Sequence, residues 1–203
     1  MRSPCVAMLA IALGLSGCAS TESFGVPASG FVVPSLASAY MPLQHSSFFG
    51  TGDGAAVVIA PGIAVTNAHN ANLVDSAAVI GKSPDFDLMF FRTRNSAAPR
   101  MSAPMNGEAV IAYGQGSNGD LREVHGVVRV ADGEQHGLIY EADAGPGFSG
   151  GPVVDARTGN LLGITFGYDD DSATKKRLMY AYDMTRVLIE LRRVTPAAPR
   201  NNR

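Results

Sequence analysis

The 203-residue sequence contains two cysteines and no tryptophan, and aromatic residues make up 7% of it. Because Cys5 and Cys18 both lie near the N-terminus, no disulfide can form within the rest of the chain, whose stability must come from packing. There is no long run of basic residues and the formal net charge is −2, which argues against a nucleic-acid partner held by electrostatics. Glycine is abundant, with 23 residues, and this favours a β-protein with many tight turns over a helical bundle.

The first 17 residues are typical of an export signal. Arg2 supplies a positive charge, and residues 6–15 form an apolar run too short to span a bilayer as a stable anchor. The sequence Leu-Ser-Gly-Cys at residues 15–18 resembles the bacterial lipobox, in which the cysteine is acylated and the chain is cut just before it. The resemblance implies a lipoprotein anchored through Cys18, and Ala19 in place of aspartate implies an outer-membrane address facing the periplasm if the cell has two membranes. The alternative is an ordinary secretory signal in which the cysteine is incidental.

Composition divides the remaining chain into a tether, a domain and a tail. Residues 18–47 are rich in serine, alanine, proline and glycine, which predicts a flexible tether with residues 31–33 as a candidate edge strand. We expect the folded domain over residues 48–194 and a disordered tail over 195–203.

Short β-rich runs separated by turn residues fill the domain, with no alternation of strands and helices. The pattern predicts an all-β fold of two packed, six-stranded antiparallel barrels. The first barrel is expected over about 48–95, and the second over about 106–184. Residues 184–194 are predicted to form a short C-terminal helix.

Ser149 lies in a turn of glycines and prolines, Gly145-Pro-Gly-Phe-Ser-Gly-Gly-Pro, that leads directly into an apolar run. This layout exposes one hydroxyl next to several backbone N–H groups, as a nucleophile beside an oxyanion hole requires. The N–H groups of Gly147 and Ser149 are the expected oxyanion donors. The alternative is a flexible turn between two strands, which needs no chemical partners.

A base and an acid for this serine come from the first half of the chain. His69 follows a predicted buried strand, and imidazole titrates near neutral pH, so it is the candidate general base. Asp87 directly precedes the apolar run Leu-Met-Phe-Phe and is the candidate acid that accepts the imidazole N–H. Asp75 and Asp85 are interpreted as turn or cap residues.

These motifs resemble those of the chymotrypsin-fold serine peptidases. Thr66-Asn-Ala-His69 resembles the motif around the catalytic histidine, Asp87 with its apolar strand resembles the acid motif, and Gly147-Phe-Ser-Gly-Gly-Pro152 resembles the nucleophile motif. The nearest members are bacterial HtrA/Deg-like protease domains, here without a PDZ module. The digestive enzymes carry an aspartate before the serine that pairs with a freed N-terminus, and Phe148 excludes that ion pair.

The resemblance also suggests how a substrate would bind. Asp143 has the spacing of the acid that binds Arg or Lys side chains in trypsin-like members, although an HtrA-like register makes Glu141 the matching acid, with a structural role. Thr165, Phe166 and Gly167 resemble the strand that pairs with the substrate backbone.

The sequence therefore predicts a membrane-tethered serine endopeptidase that acts on polypeptides, with no metal and no organic cofactor. Two alternatives remain open. One is an inactive, protease-like lipoprotein that binds peptides or envelope partners, and the other is an esterase that uses the same serine.

Overall fold

A computed structural model of the protein describes residues 24–47, 50–132, 137–171 and 176–195. The predicted signal peptide, Cys18 and the tail from residue 196 lie outside the described residues. The strands in the described part are β1 (Val26–Pro27), β2 (Tyr40–Ser47), β3 (Gly50–Ala60), β4 (Ile63–Thr66), β5 (Val79–Lys82), β6 (Met89–Arg92), β7 (Ala109–Gln115), β8 (Leu121–Asp132), β9 (Gly137–Glu141), β10 (Pro152–Asp155), β11 (Leu161–Asp171) and β12 (Lys176–Asp183). The helices are α1 (Pro34–Ala39) and α2 (Met184–Val194).

The second half of the chain forms a closed barrel of six antiparallel strands. Its order is β8-β7-β10-β11-β12-β9, and a further pairing between β8 and β9 closes it. Exposure alternates along β9, as expected when one face of a strand points into a core. The predicted barrel over this half and the helix that follows it are confirmed.

The first half differs from the prediction, because its sheet is open. Five strands pair in the order β2-β3-β4-β6-β5, and no pairing joins the edge strands β2 and β5 within the described ranges. Residues 68–73 and 76–78, between β4 and β5, form 3-10 turns. The first of these turns carries His69, and β2 and β5 remain the edges of the sheet in the described part of the chain.

Residues 24–47, predicted as tether, contain regular structure from Val26 onwards. Strand β1 pairs with β8, and β2 pairs with β3 along its length. Pro34 provides the fixed backbone angle that suits the first turn of α1, and Leu36 and Ala39 of that helix are buried. The edge strand expected at residues 31–33 is instead at Val26–Pro27.

One hydrophobic cluster joins the two halves of the molecule. Val57 and Phe90 of the open sheet pack in the same cluster as Tyr113 and Ile164 of the barrel. A second cluster lies within the barrel and includes Phe148. The loops that carry the candidate site residues therefore extend from two sheets that share a core. No helix in the described stretches has both the length and the hydropathy to cross a membrane.

Candidate active site

His69 and Asp87 form a two-point contact. The imidazole Nδ1 lies 2.5 Å from Asp87 Oδ2, and the backbone N–H of His69 donates to Asp87 Oδ1 at 3.0 Å. A carboxylate at Nδ1 favours the tautomer that carries its proton on that nitrogen, which leaves the Nε2 lone pair available as a base. The His69 side chain is 48% exposed and that of Asp87 is 32% exposed, so the pair opens towards solvent.

Asp87 is itself fixed by two residues from different parts of the fold. The side-chain amide of Asn67 donates to the Asp87 carbonyl at 3.0 Å, and the Asp87 N–H donates to the Tyr182 hydroxyl at 3.1 Å. Burial raises the pKa of Tyr182, so this hydroxyl stays neutral at physiological pH. Leu88, the next residue, is fully buried and anchors the start of β6.

The serine turn depends on glycine at two positions with positive φ. Gly147 has a φ of 91° and Gly150 a φ of 79°, a region that favours glycine. A Cβ on Gly147 would lie 2.1 Å from the carbonyl oxygen of Gln115, and one on Gly150 would lie 2.1 Å from that of Ala55. The turn thus packs directly against backbone from both halves of the molecule, and no larger residue fits at either position.

The expected oxyanion donors have no hydrogen-bond acceptor in the described part of the chain. The N–H groups of Phe148, Gly150 and Gly151 are each engaged, with Gly145, Thr165 and Phe148 carbonyls respectively. By contrast, the N–H groups of Gly147 and Ser149 make no such bond among the residues described. Two unsatisfied donors on one tight turn next to a hydroxyl are able to stabilise a developing negative oxygen.

Asn70 links the serine turn to the histidine loop, and sequence reasoning missed it. Its side chain is buried, and its amide donates to Thr66 Oγ1 at 3.0 Å and to the Ser149 carbonyl at 3.1 Å. The Ala55 N–H donates to the same carbonyl at 2.9 Å. An asparagine directly after the candidate base was the only signal available, because its partners are distant in sequence.

His69 and Ser149 line one cavity of about 430 Å³, together with Gly147, Phe166 and Gly167. The structure thus brings together the three predicted triad residues, although among the described residues no hydrogen bond joins the Ser149 hydroxyl to the imidazole. Catalytic hydrogen bonds are often long in unliganded proteins and tighten when substrate binds. Thr165 lies beside this cavity rather than in its wall, since it is buried and its backbone pairs with Gly150 and Gly151.

The structure does not bring Asp143 into this cavity. Its side chain is 92% exposed and lies 3.8 Å from Arg177 Nη1, in a separate surface depression with Phe24 and Glu123. This position gives no support to Asp143 as the base of a specificity pocket. Glu141, the residue of the alternative register, forms a salt bridge with Arg129 at 2.5 Å.

Phe148 is fully buried within the barrel cluster. A Cβ placed on Gly114 would lie 2.6 Å from Phe148 Cγ, so the ring lies directly on that glycine. The residue before the serine therefore anchors the turn through apolar packing, where the digestive enzymes use an ion pair.

No group of three or more histidine, cysteine, aspartate or glutamate side chains in the described residues is arranged to hold a metal ion. The chemistry available at the cavity is that of a hydroxyl, an imidazole with its carboxylate, and backbone N–H donors.

The closed barrel, the C-terminal helix and the strand order define an all-β chymotrypsin-like fold, and the cavity lies where loops from the barrel and the open sheet meet. Residues 52–164 match the family described as Trypsin-like peptidase domain. The chain belongs to this family. No curated protein matches the sequence.

Solved structures with the same fold include bacterial proteases. A serine-to-alanine variant of the HtrA-type protease AlgW with tripeptide superposes with a TM-score of 0.65 at 20% identity, covering 80% of this chain and 62% of that one. The serine endoprotease from Yersinia pestis has a TM-score of 0.65 at 19% identity, covering 80% and 65%. The Rv3671c protease from M. tuberculosis in its active form has a TM-score of 0.65 at 19% identity, covering 86% and 90%. The chain thus spans less than two thirds of the length of the first two.

Proposed function

We propose that this chain is a serine endopeptidase in which Ser149 is the nucleophile, His69 the general base and Asp87 the residue that orients the imidazole. The observation that supports the proposal best is the His69–Asp87 contact at the rim of a cavity that Ser149 also lines. The family match and the HtrA-type structural neighbours point to the same class of enzyme.

In the proposed reaction, Ser149 Oγ bonds to the peptide carbonyl carbon while its proton passes to His69 Nε2. The N–H groups of Gly147 and Ser149 donate to the oxyanion that forms. His69 then protonates the amine as the C–N bond breaks, which leaves an ester on Ser149. Water attacks that ester, gives a proton to His69 and releases the acid, and the proton returns to Ser149.

A fluorophosphonate probe tests the nucleophile, because it labels only a serine activated in this way. We expect labelling of the native protein at Ser149, and loss of labelling in Ser149→Ala with an unchanged unfolding midpoint. Ser117→Ala provides a matched control for a serine outside the cavity. A native protein that resists the probe and cleaves no peptide would contradict the proposal. Comparing amide and ester substrates separates a peptidase from an esterase.

The substrate we propose is an extended polypeptide that adds to β11. Strand β10 pairs with β11 only as far as Ile164, and the serine turn occupies Thr165. From Phe166 onwards, that edge of β11 has no paired strand in the described part of the sheet. Phe166 and Gly167 also line the cavity, so an added strand would place its backbone next to Ser149.

The location of the enzyme is also a proposal: a lipid anchor on Cys18 that holds the chain at the outer membrane, facing the periplasm. It is supported by the lipobox-like sequence at residues 15–18. Metabolic labelling with an alkyne fatty acid should modify the native chain and not Cys18→Ala. A Cys18→Ala chain that stays in the membrane fraction would contradict the anchor.

A second candidate function is peptide binding without cleavage, and one observation favours it: no hydrogen bond joins Ser149 to His69 in the part of the chain that the structure describes. In that case, Ser149→Ala would bind peptides with the same affinity as the native chain, and neither would turn them over. Isothermal calorimetry with a peptide library, followed by mass spectrometry of the products, distinguishes the two functions.

A further inference from the structure

The first described residues of the chain pack onto the turn that carries Ser149. The Phe24 ring covers Gly145 so closely that a Cβ there would lie 2.5 to 2.7 Å from three atoms of the ring. The Arg177 guanidinium lies 4.6 Å from the centroid of the same ring, and its Nη1 donates to the Ala144 carbonyl at 2.8 Å. Phe24 and Arg177 thus hold the chain at the start of the turn.

Gly25 extends this contact to Phe148. Its φ is 68°, and a Cβ on it would lie 2.7 Å from the Glu123 carbonyl oxygen and 3.1 Å from Phe148 Cζ. Gly114 thus lies near the Cγ end of the Phe148 ring and Gly25 near its Cζ end. A side chain at position 25 would displace either the ring or the segment itself.

Few backbone contacts hold this segment, residues 24–28, which we name the N-terminal clasp. Strand β1 contains only Val26 and Pro27, and Val26 is 57% exposed. Outside that pairing, the Ala28 N–H donates to the Leu121 carbonyl at 2.9 Å, and Arg122 Nη1 donates to the Gly25 carbonyl at 3.3 Å. With so short a ladder, the clasp depends on the contacts of Phe24 and Gly25 with the serine turn.

We propose that Phe24 and Gly25 are positioning residues for the oxyanion donors: the N-terminal clasp keeps residues 145–148 in the conformation that leaves the Gly147 and Ser149 N–H groups unbonded. The inference rests on the proposed peptidase function. Phe148 is apolar and cannot hold the turn through an ion pair, so packing holds it, and the clasp contacts both Gly145 and Phe148.

The test compares the full-length native chain with Phe24→Ala, Phe24→Leu and Gly25→Ala, with Val26→Ala as a control on an exposed side chain of the same segment. We expect Phe24→Ala and Gly25→Ala to lower kcat by about tenfold with little change in KM, a part of the roughly 100-fold lost with an oxyanion donor. Phe24→Leu should recover most of the activity, because it restores apolar packing on Gly145. Val26→Ala should behave like the native chain.

Hydrogen–deuterium exchange of peptides that cover residues 142–152 provides a readout independent of activity. In Phe24→Ala and Gly25→Ala we expect faster exchange in this segment, while peptides from β3 and β4 keep their native rates. A merely structural role would lower the unfolding midpoint and leave kcat of the folded protein unchanged, and that result would overturn the proposal. If the native chain proves inactive, unchanged exchange over residues 142–152 in both variants would still overturn it.

Discussion

Gly147 is a residue at which the proposed active site tolerates little change. In Gly147→Ala the new Cβ would meet the Gln115 carbonyl oxygen at 2.1 Å, so the turn must move and carry the Gly147 N–H with it. We expect kcat to fall by about 100-fold or more, the effect of losing one oxyanion donor. Steady-state kinetics with a peptide substrate provides the measurement.

Gly107→Ala is the matched control, because Gly107 has a similar φ of 81° but nothing within 4 Å of a new Cβ. It should cost about 1–2 kcal/mol of stability from the left-handed backbone alone and leave kcat unchanged. If the two variants had equal effects on kcat, steric displacement of the turn would not be the cause.

Tyr182 connects the acid loop to the barrel, and we expect its hydroxyl to matter for catalysis. Tyr182→Phe keeps the ring stacked on Phe166, whose centroid lies 4.2 Å away, but leaves the Asp87 N–H without its acceptor. A typical hydrogen bond contributes roughly 0.5–1.5 kcal/mol, so kcat/KM should fall about two- to tenfold. Tyr180→Phe, a neighbour whose ring also faces Phe166, should change kcat/KM less. Equal values for the two variants would contradict the assigned role.

At this scale, the sequence indicated candidate site residues that the structure places close together, and it missed the residues that link them. His69, Asp87 and Ser149 each follow or precede an apolar run, and such local patterns are visible without a structure. Asn70 and Tyr182 act across 79 and 95 positions of the chain, and nothing local distinguishes them. Asp143 is the opposite case. Its spacing from Ser149 suggested a contact with a substrate side chain, but the structure places the Asp143 side chain in solvent.

Helix α2 fixes the loop that leads to Asp87 through a buried carboxylate. Glu190 is fully buried and accepts from Ser83 Oγ at 2.8 Å and from Arg193 Nη1 at 3.0 Å. Ser83 Oγ in turn accepts the N–H groups of Asp85 and Phe86, so one side chain on the helix organises the turn before Asp87.

We therefore expect Glu190→Ala to lower the free energy of unfolding by about 1.5–3 kcal/mol, the range for a hydrogen bond to a charged group. Urea unfolding provides the measurement. Arg192→Ala, at an exposed position of the same helix, should stay within about 0.5 kcal/mol of the native chain. A loss of similar size in both variants would indicate a general effect on the helix instead.

The turn between β10 and β11 contains a carboxylate that couples stability to pH. Burial alone would raise the pKa of Asp155, but the Thr158 hydroxyl and the N–H groups of Arg157 and Thr158 lower it below its ordinary value. A lowered pKa means that ionised Asp155 stabilises the fold above its unfolded pKa of about 3.9, and that this stabilisation is lost as pH falls through the folded pKa.

Asp155→Asn should therefore be less stable than the native chain at pH 7, with a difference that shrinks in acid below about pH 4. Asp169→Asn, on an exposed aspartate of β11, controls for the change in net charge. Urea unfolding across pH measures both. A difference that did not depend on pH would show that the carboxylate's charge is not the stabilising feature.

Elements whose apolar residues recur with a regular spacing were predicted well from the sequence, and short elements without such a spacing were not. Helix α2 begins and ends at the predicted residues, because its apolar positions recur with helical spacing. Helix α1 has six residues and β1 has two, too few for any periodicity to show in a segment rich in proline and serine. Closure of the predicted first barrel is not confirmed, because β-rich runs in a sequence show where strands lie but not whether the two edge strands of a sheet pair with each other.

For the whole molecule, the shared core has a consequence for unfolding. The larger hydrophobic cluster contains Val57 and Phe90 from the open sheet as well as Tyr113 and Ile164 from the barrel. An open sheet of five strands has one face that must be buried, and the barrel covers it. Neither half is therefore complete without the other, and no disulfide supports either one, because the chain has no cysteine after residue 18.

We expect the described domain to unfold in one transition, with equal calorimetric and van't Hoff enthalpies. Phe90→Ala removes a fully buried ring and should cost about 3–5 kcal/mol, and Leu138→Ala in the barrel-only cluster about 2–5 kcal/mol. Hydrogen exchange is measured under conditions in which it occurs through unfolding of the whole domain. In each variant, peptides from both halves should then exchange faster than in the native chain. If Phe90→Ala instead loosened β3 to β6 while β7 to β12 kept their native protection, the two halves would be independent units. The cleft between them would then be able to open without unfolding.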